Sequence, residues 1–279
     1  MKIAYGIVAL LALAGAANAQ FVATNAGPIN SDGPIGTGTN GSFGATYGGA
    51  GTIFGNVAFT GDLTSNDVGS YLSEARWNVK NLSTGAAAAF QFASGNTWSG
   101  TVNVAATRGM FLWASSGDNF SFEAYESYND SGIDASWSNV SFTFNSATIG
   151  TLGNVNAGDI DFDTFTSTFD TEIAIYTSAG VLLGTNDDAP SSLQSQILLN
   201  LAEGDYYVII GGYNSLFGNG GASGGNAAGD FVLNINGANA GSGSLAAGGL
   251  AAYSLTVVPT PGALALLGLG GLVAASRRR

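Results

Sequence analysis

Of 279 residues, 43 are Gly, 46% are hydrophobic and only 9% are charged. There is no Cys and no His, which excludes disulfides, zinc sites built on those ligands, and every catalytic arrangement that needs a His base or a Cys nucleophile. The formal charge is −12. Lys2 and Arg277, Arg278 and Arg279 sit at the two ends, so the body sets Arg76, Lys80 and Arg108 against all 19 acidic residues and carries −16. Such a body repels nucleic acid and attracts cations, Ca²⁺ first among them outside a cell.

Residues 1–19 read as a secretory signal peptide. Lys2 gives the positive start, Ile3 to Ala17 is almost wholly apolar, and Ala17-Asn18-Ala19 is a small-x-small cleavage site. An export translocon and a signal peptidase are the partners this implies. Residues 20–56 are a Gly/Asn/Thr/Ser lead-in with scattered aromatics, expected to be mostly loop with at most an edge strand.

Period-two alternation begins at Val57 and marks a first β-domain over 57–147. Ala75, Trp77 and Val79 share one strand face. Phe120, Phe122 and Ala124 share another, and Val140, Phe142 and Phe144 a third. Met110 to Ala114 is a continuous apolar run, the pattern of a central strand. Turn residues such as Ser115-Ser116-Gly117-Asp118-Asn119 separate these segments. A second β-domain is expected over 148–257, with strand faces at Ile173/Ile175, Ile197/Leu199/Leu201, Phe231/Leu233/Ile235 and Tyr253/Leu255/Val257. The expected fold is all-β: two β-sandwich or jelly-roll domains, a signal helix at the N-terminus and a short hydrophobic helix at the C-terminus.

The candidate chemistry is acidic. Asp159, Asp161, Asp163, Asp170, Glu172, Asp187 and Asp188 crowd one stretch with Asn186. If the strands around them pair, Asp170, Asp187 and Asp188 converge on one loop end and offer oxygens to Ca²⁺, which takes six to eight. Plain turn chemistry explains the same residues without an ion. Glu123 and Glu126 resemble a glycosidase pair only in spacing: three apart on a strand, they point to opposite faces, and both are expected to be exposed. Four tryptophans are candidates for stacking on sugar rings, with Trp98, in a turn-like context, the one expected at the surface. Regular Thr spacing is confined to Thr164, Thr166 and Thr168. Asn40, Asn81, Asn119 and Asn139 stand in Asn-x-Ser glycan-acceptor sequences.

Two family resemblances follow from particular residues. Residues 258–279 run Val258-Pro259-Thr260-Pro261, then an apolar Gly/Leu/Ala segment, then Ser276-Arg277-Arg278-Arg279. This resembles the PEP-CTERM sorting signal of exopolysaccharide-producing Gram-negative bacteria, a segment also known as the ice-binding protein C-terminal domain. The middle residue departs from the family, which usually has Glu where Thr260 stands. The resemblance implies an exosortase-like sorting protease, transient residence in the inner membrane, cleavage near the Pro-x-Pro, and delivery to the cell surface or an extracellular polysaccharide matrix. An ordinary single-pass anchor is the alternative reading of the tail. Residues 148–257 resemble the bacterial pre-peptidase C-terminal (PPC) domain, most specifically in "LLGTNDD" (182–188) and "LAEGDYYVIIGGYN" (201–214). That likeness implies a β-sandwich, accessory rather than catalytic, some of whose members bind Ca²⁺ or matrix polymers. The sequence therefore leads to a non-catalytic exported surface or matrix protein, structural or adhesive. A carbohydrate- or ice-binding module is the first alternative and a secreted hydrolase the second.

Overall fold

A computed structural model describes residues 20–66, 71–128 and 132–260. The signal segment and most of the tail, with their expected helices, lie outside the described residues. So do Ala17, Ala19, Pro261, Arg277, Arg278 and Arg279. Among the described residues the regular structure is all β, in four sheets, and no helix is long and apolar enough to cross a membrane.

The lead-in is more ordered than its composition suggests. It supplies β1 (Gln20–Asn25), β2 (Ile29–Ser31) and β3 (Ser42–Thr46), and buries Phe21, Ile29 and Tyr47. The long strands follow: β4 (Thr52–Ser65), β5 (Ala75–Asn81), β6 (Ala87–Phe90), β7 (Thr101–Ala114), β8 (Asn119–Glu126) and β9 (Ala135–Ser146). The later part adds β10 (Gly150–Asn156), β11 (Gly158–Asp163), β12 (Thr171–Thr177), β13 (Leu182–Asn186), β14 (Gln196–Leu201) and β15 (Gly204–Gly212). A short hairpin of β16 (Leu216–Gly218) and β17 (Gly221–Ser223) comes next, then β18 (Gly229–Ile235), β19 (Ala238–Leu245) and β20 (Ala251–Val258).

Two sheets enclose the first core. One runs β1-β9-β4-β7-β17-β16, with β2 also on β9; the other runs β3-β8-β5-β6. The inward residues are those the alternation selects, and they are unusually aromatic. Phe142 is fully buried with rings of Phe59, Trp77 and Phe122 at centroid distances of 4.9, 5.1 and 4.9 Å. Rings at that spacing add edge-to-face and stacking attraction to the area they bury. On β4 the inward residues are Phe54, Val57, Phe59 and Leu63. The step of three between Phe54 and Val57 breaks strict alternation because a register shift falls between Phe54 and Asn56, a bulge that keeps both rows facing in.

The second core lies between a sheet ordered β10-β20-β15-β12-β13 and one ordered β14-β11-β18-β19. It gathers Ile173, Ile175, Val208, Ile210, Phe162, Leu233 and Leu255. All named pairings are antiparallel except β10 with β20.

A third apolar cluster joins the two pairs of sheets. Phe111 and Trp113 leave the opposite face of β7 from Met110 and Leu112 and meet Tyr176 and Tyr207. The Phe111–Tyr207 and Trp113–Tyr176 ring centroids are each 5.4 Å apart. Strands β7, β12 and β15 are therefore apolar on both faces over these stretches, as the run Met110 to Ala114 indicates for β7. The backbone also meets closely here. The Gly109 N–H donates to the Gly248 carbonyl at 2.5 Å, and a Cβ on Gly109 would stand 2.6 Å from the Leu250 nitrogen. The hairpin β16–β17 crosses from the later part of the chain and extends the first sheet, pairing Gly221, Ala222 and Ser223 with Leu112, Phe111 and Met110.

Candidate acidic site and the cavity at the seam

Asp170 stands in the segment entering β12, and Asp187 and Asp188 follow the end of β13. Since β12 and β13 pair antiparallel with Ile173 opposite Asn186, the entry to one strand lies beside the exit from the other. One carboxylate oxygen from each aspartate lies within 4.8 Å of the other two. This is the convergence the sequence suggested for these three residues. Among the described residues it is the one group of three or more such side chains close enough to share an ion. Asp187 and Asp188 are exposed and Asp170 is half-buried, with an Oδ1 that is shielded from solvent and has no hydrogen-bond partner.

The electrostatics follow from burial and crowding. Partial burial, then the charges of Asp187 and Asp188, push the Asp170 carboxyl up from its ordinary value. Glu172 is 7% exposed and is pushed up to about 7, chiefly by burial, with Asp187 and Asp170 adding to the rise. The Asn214 backbone N–H donates to Glu172 Oε1 at 2.8 Å and opposes the shift. The three aspartates would give a hard cation about half of the oxygens it takes.

The other acids of this stretch do not join them. Asp159 accepts from Asn200 Nδ2, Asp161 from Gln196 Nε2, and Asp163 from Asn234 Nδ2 and the Phe165 N–H. Asn186 Oδ1 caps the Gln196 N–H. These are ladder and turn contacts.

Glu126 corrects the expectation of two exposed carboxylates. Glu123 is half-buried, accepting from Gly36 N–H and Asn40 Nδ2. Glu126 is 2% exposed, because it continues the inward row of Phe120, Phe122 and Ala124. It accepts from Ser31 Oγ at 2.5 Å, and burial pushes it up to about 8. Glu126 lines none of the cavities at the seam.

A scan of family models and a search of characterised proteins match nothing in this chain. The PEP-CTERM and PPC resemblances therefore rest on the quoted residues alone.

The tryptophans are not surface platforms. Trp77 and Trp137 are fully buried, Trp98 is half-buried against the first core, and Trp113 donates its Nε1–H to the Ser178 carbonyl at 3.3 Å. Thr164, Thr166 and Thr168 lie in a turn, with Thr164 fully buried and Thr166 at a φ of 72°, so they form no ladder. Asn81 is fully buried and donates to Asp118, which removes it as a glycan acceptor. Strand β20 ends at Val258, whose carbonyl accepts from the Ala157 N–H at 2.8 Å, and Pro259 and Thr260 follow at once.

Sequence reasoning passed over Arg76 and Ser223. Each carries a side-chain atom shielded from solvent and without a partner, Nε in one and Oγ in the other, and both residues line one cavity of about 250 Å³. The signal for Arg76 was present: it is one of three cations in the body.

Proposed function

We propose that this chain is a non-catalytic, exported surface or matrix protein, built as two β-sandwich domains and carried outward by a sorting tail. The observation that carries the reading is the third apolar cluster. It joins two complete cores through Phe111, Trp113, Tyr176 and Tyr207, which suits a load-bearing or adhesive element better than a hinged enzyme. The absence of His and Cys from the sequence supports the same reading, as does the burial of Glu126, which is not among the residues lining the cavity beside it. The tail contributes the address. The chain leaves β20 at Val258 and enters Pro259-Thr260 with no linker between, so a protease acting near Pro261 would release a body that keeps its last strand.

The test is fractionation of cells producing the full chain and a chain lacking residues 258–279. Sorting predicts that the intact chain reaches the surface or matrix and that the shortened chain does not. Equal distribution of the two chains overturns the proposal. Retention of the intact chain in the inner membrane, with no surface form, supports a plain anchor instead.

A further inference from the structure

The geometry points to a binding site for a carboxylate-bearing sugar of monosaccharide size in the cavity between sheet edge β6 and the loop after β17. The cavity measures about 250 Å³ and is lined by Arg76, Tyr125, Gln91, Ser223, Asn214 and Asn226, with the Gly224–Gly225 backbone as one wall. That volume is below the range of drug-sized pockets and suits one small ring. Six polar side chains supply donors and acceptors in the mixture a polyhydroxy ring presents.

The anion preference comes from Arg76. It stands opposite Tyr125 in the β5–β8 ladder, where its charge lowers the Tyr125 hydroxyl against the effect of burial. The Arg76 Nε–H keeps no partner. Nε–H together with a terminal N–H is the edge by which a guanidinium takes a carboxylate in two parallel hydrogen bonds. Ser223 Oγ is a second donor without a partner on a residue only 1% exposed. Buried polar groups are rarely left without partners, and two on one cavity wall call for a ligand group there. Both atoms are screened from bulk solvent, on residues that line the cavity.

The wall is preorganised. Glu172 holds the Asn214 N–H, the Tyr213 carbonyl accepts from the Asn226 N–H at 2.7 Å, and Ser215 Oγ accepts from the Gly225 N–H at 3.0 Å. A Cβ on Gly225 would collide with the Tyr213 and Gly212 carbonyls. Burial keeps Glu126, the nearby acid that would otherwise compete for Arg76, protonated near neutral pH. Glu123 is already held by Asn40 and Gly36. The inference does not depend on sorting: a chain that reaches the surface but binds no acidic sugar fails only here.

Titration of the full-length chain with D-glucuronate, D-glucose and acetate, followed calorimetrically and by ligand-observed NMR, tests the site. Saturable glucuronate binding is expected, at least tenfold tighter than glucose or acetate. Arg76→Gln is expected to weaken it at least tenfold, while Lys80→Gln, a change of the other cation on β5, leaves it unchanged. Should Arg76→Gln fail to fold, Asn226→Ala decides, with a severalfold loss expected. The proposal is overturned by no saturable binding, by acetate or glucose binding as tightly as glucuronate, or by equal effects of the two cation substitutions.

Discussion

Replacing Glu126 by Gln should make the protein more stable in mild alkali and flatten its dependence on pH. The carboxyl is 2% exposed, and burial raises it from about 4.5 to about 8. A group held more tightly protonated in the folded chain contributes most below its unfolded pKa, near 4.5. That contribution is lost as pH climbs through the folded value near 8. At ~1.36 kcal/mol per pKa unit the span corresponds to at most about 5 kcal/mol. Burial sets most of that rise, with the charges of Asp134 and Glu74 adding to it and the Ser31 hydroxyl and Arg76 opposing it; a protein interior that relaxes around the charge leaves a few kcal/mol. For a body of this size a few kcal/mol moves the melting temperature by roughly 10 °C. Thermal melts of wild type and Glu126→Gln from pH 5 to pH 9 measure it. The wild type should melt lower at each step upward, whereas Glu126→Gln should fall less and overtake it by pH 9. Parallel curves, or a wild type most stable at pH 9, would refute the reasoning, because an exposed carboxylate gives the opposite trend or none.

Phe142→Ala removes the ring at the centre of the first core and should cost about 3–5 kcal/mol, read as a lowered denaturant midpoint. Gly109→Val places a side chain against the Leu250 backbone nitrogen; proteolysis near residues 246–250 should quicken while the first core, followed by tryptophan fluorescence, stays native. Asp187→Asn takes away one of the charges that raise Asp170, so in EDTA the variant should melt slightly above wild type, by ~1–3 °C. Glu172 titrates in the same sense as Glu126, with its contribution lost between about 4.5 and about 7; Glu172→Gln should therefore lessen the fall in melting temperature over that narrower range.

Much of the fold can be read from spacing. The row Phe120, Phe122, Ala124 names an inward face, and the same row carried one step further buries Glu126, a consequence obscured by its position next to turn residues. The apolar run in β7 announces a strand covered on both sides, yet nothing local says that its second face covers those of β12 and β15. That partnership is a matter of sheets docking over more than 60 residues of sequence, as between Trp113 and Tyr176. The lead-in hides its strands because Gly and Ser outnumber its inward residues; Phe21 and Tyr47 pack on each other and on Phe54, but the core they enter is completed by rings far along the chain, such as Phe120 and Phe144. Asp170, Asp187 and Asp188 were legible as a group because hairpin pairing brings a strand's entry beside its neighbour's exit. Arg76 and Ser223 were not, since 147 positions separate them and only tertiary docking brings them to one cavity.

If the chain is exported as proposed, N-terminus first, the crossing hairpin sets an order of events. Residues through Ser146 can assemble as soon as they emerge, but β7 then shows a bare edge of amide and carbonyl groups. The Met110–Leu112 stretch of that edge stays open until Gly221, Ala222 and Ser223 arrive to cover it. An exposed central-strand edge invites pairing with another chain. The interval between those two moments is thus when nascent copies are most prone to stick together, and slowing translocation should worsen their yield more than lowering the stability of the finished body.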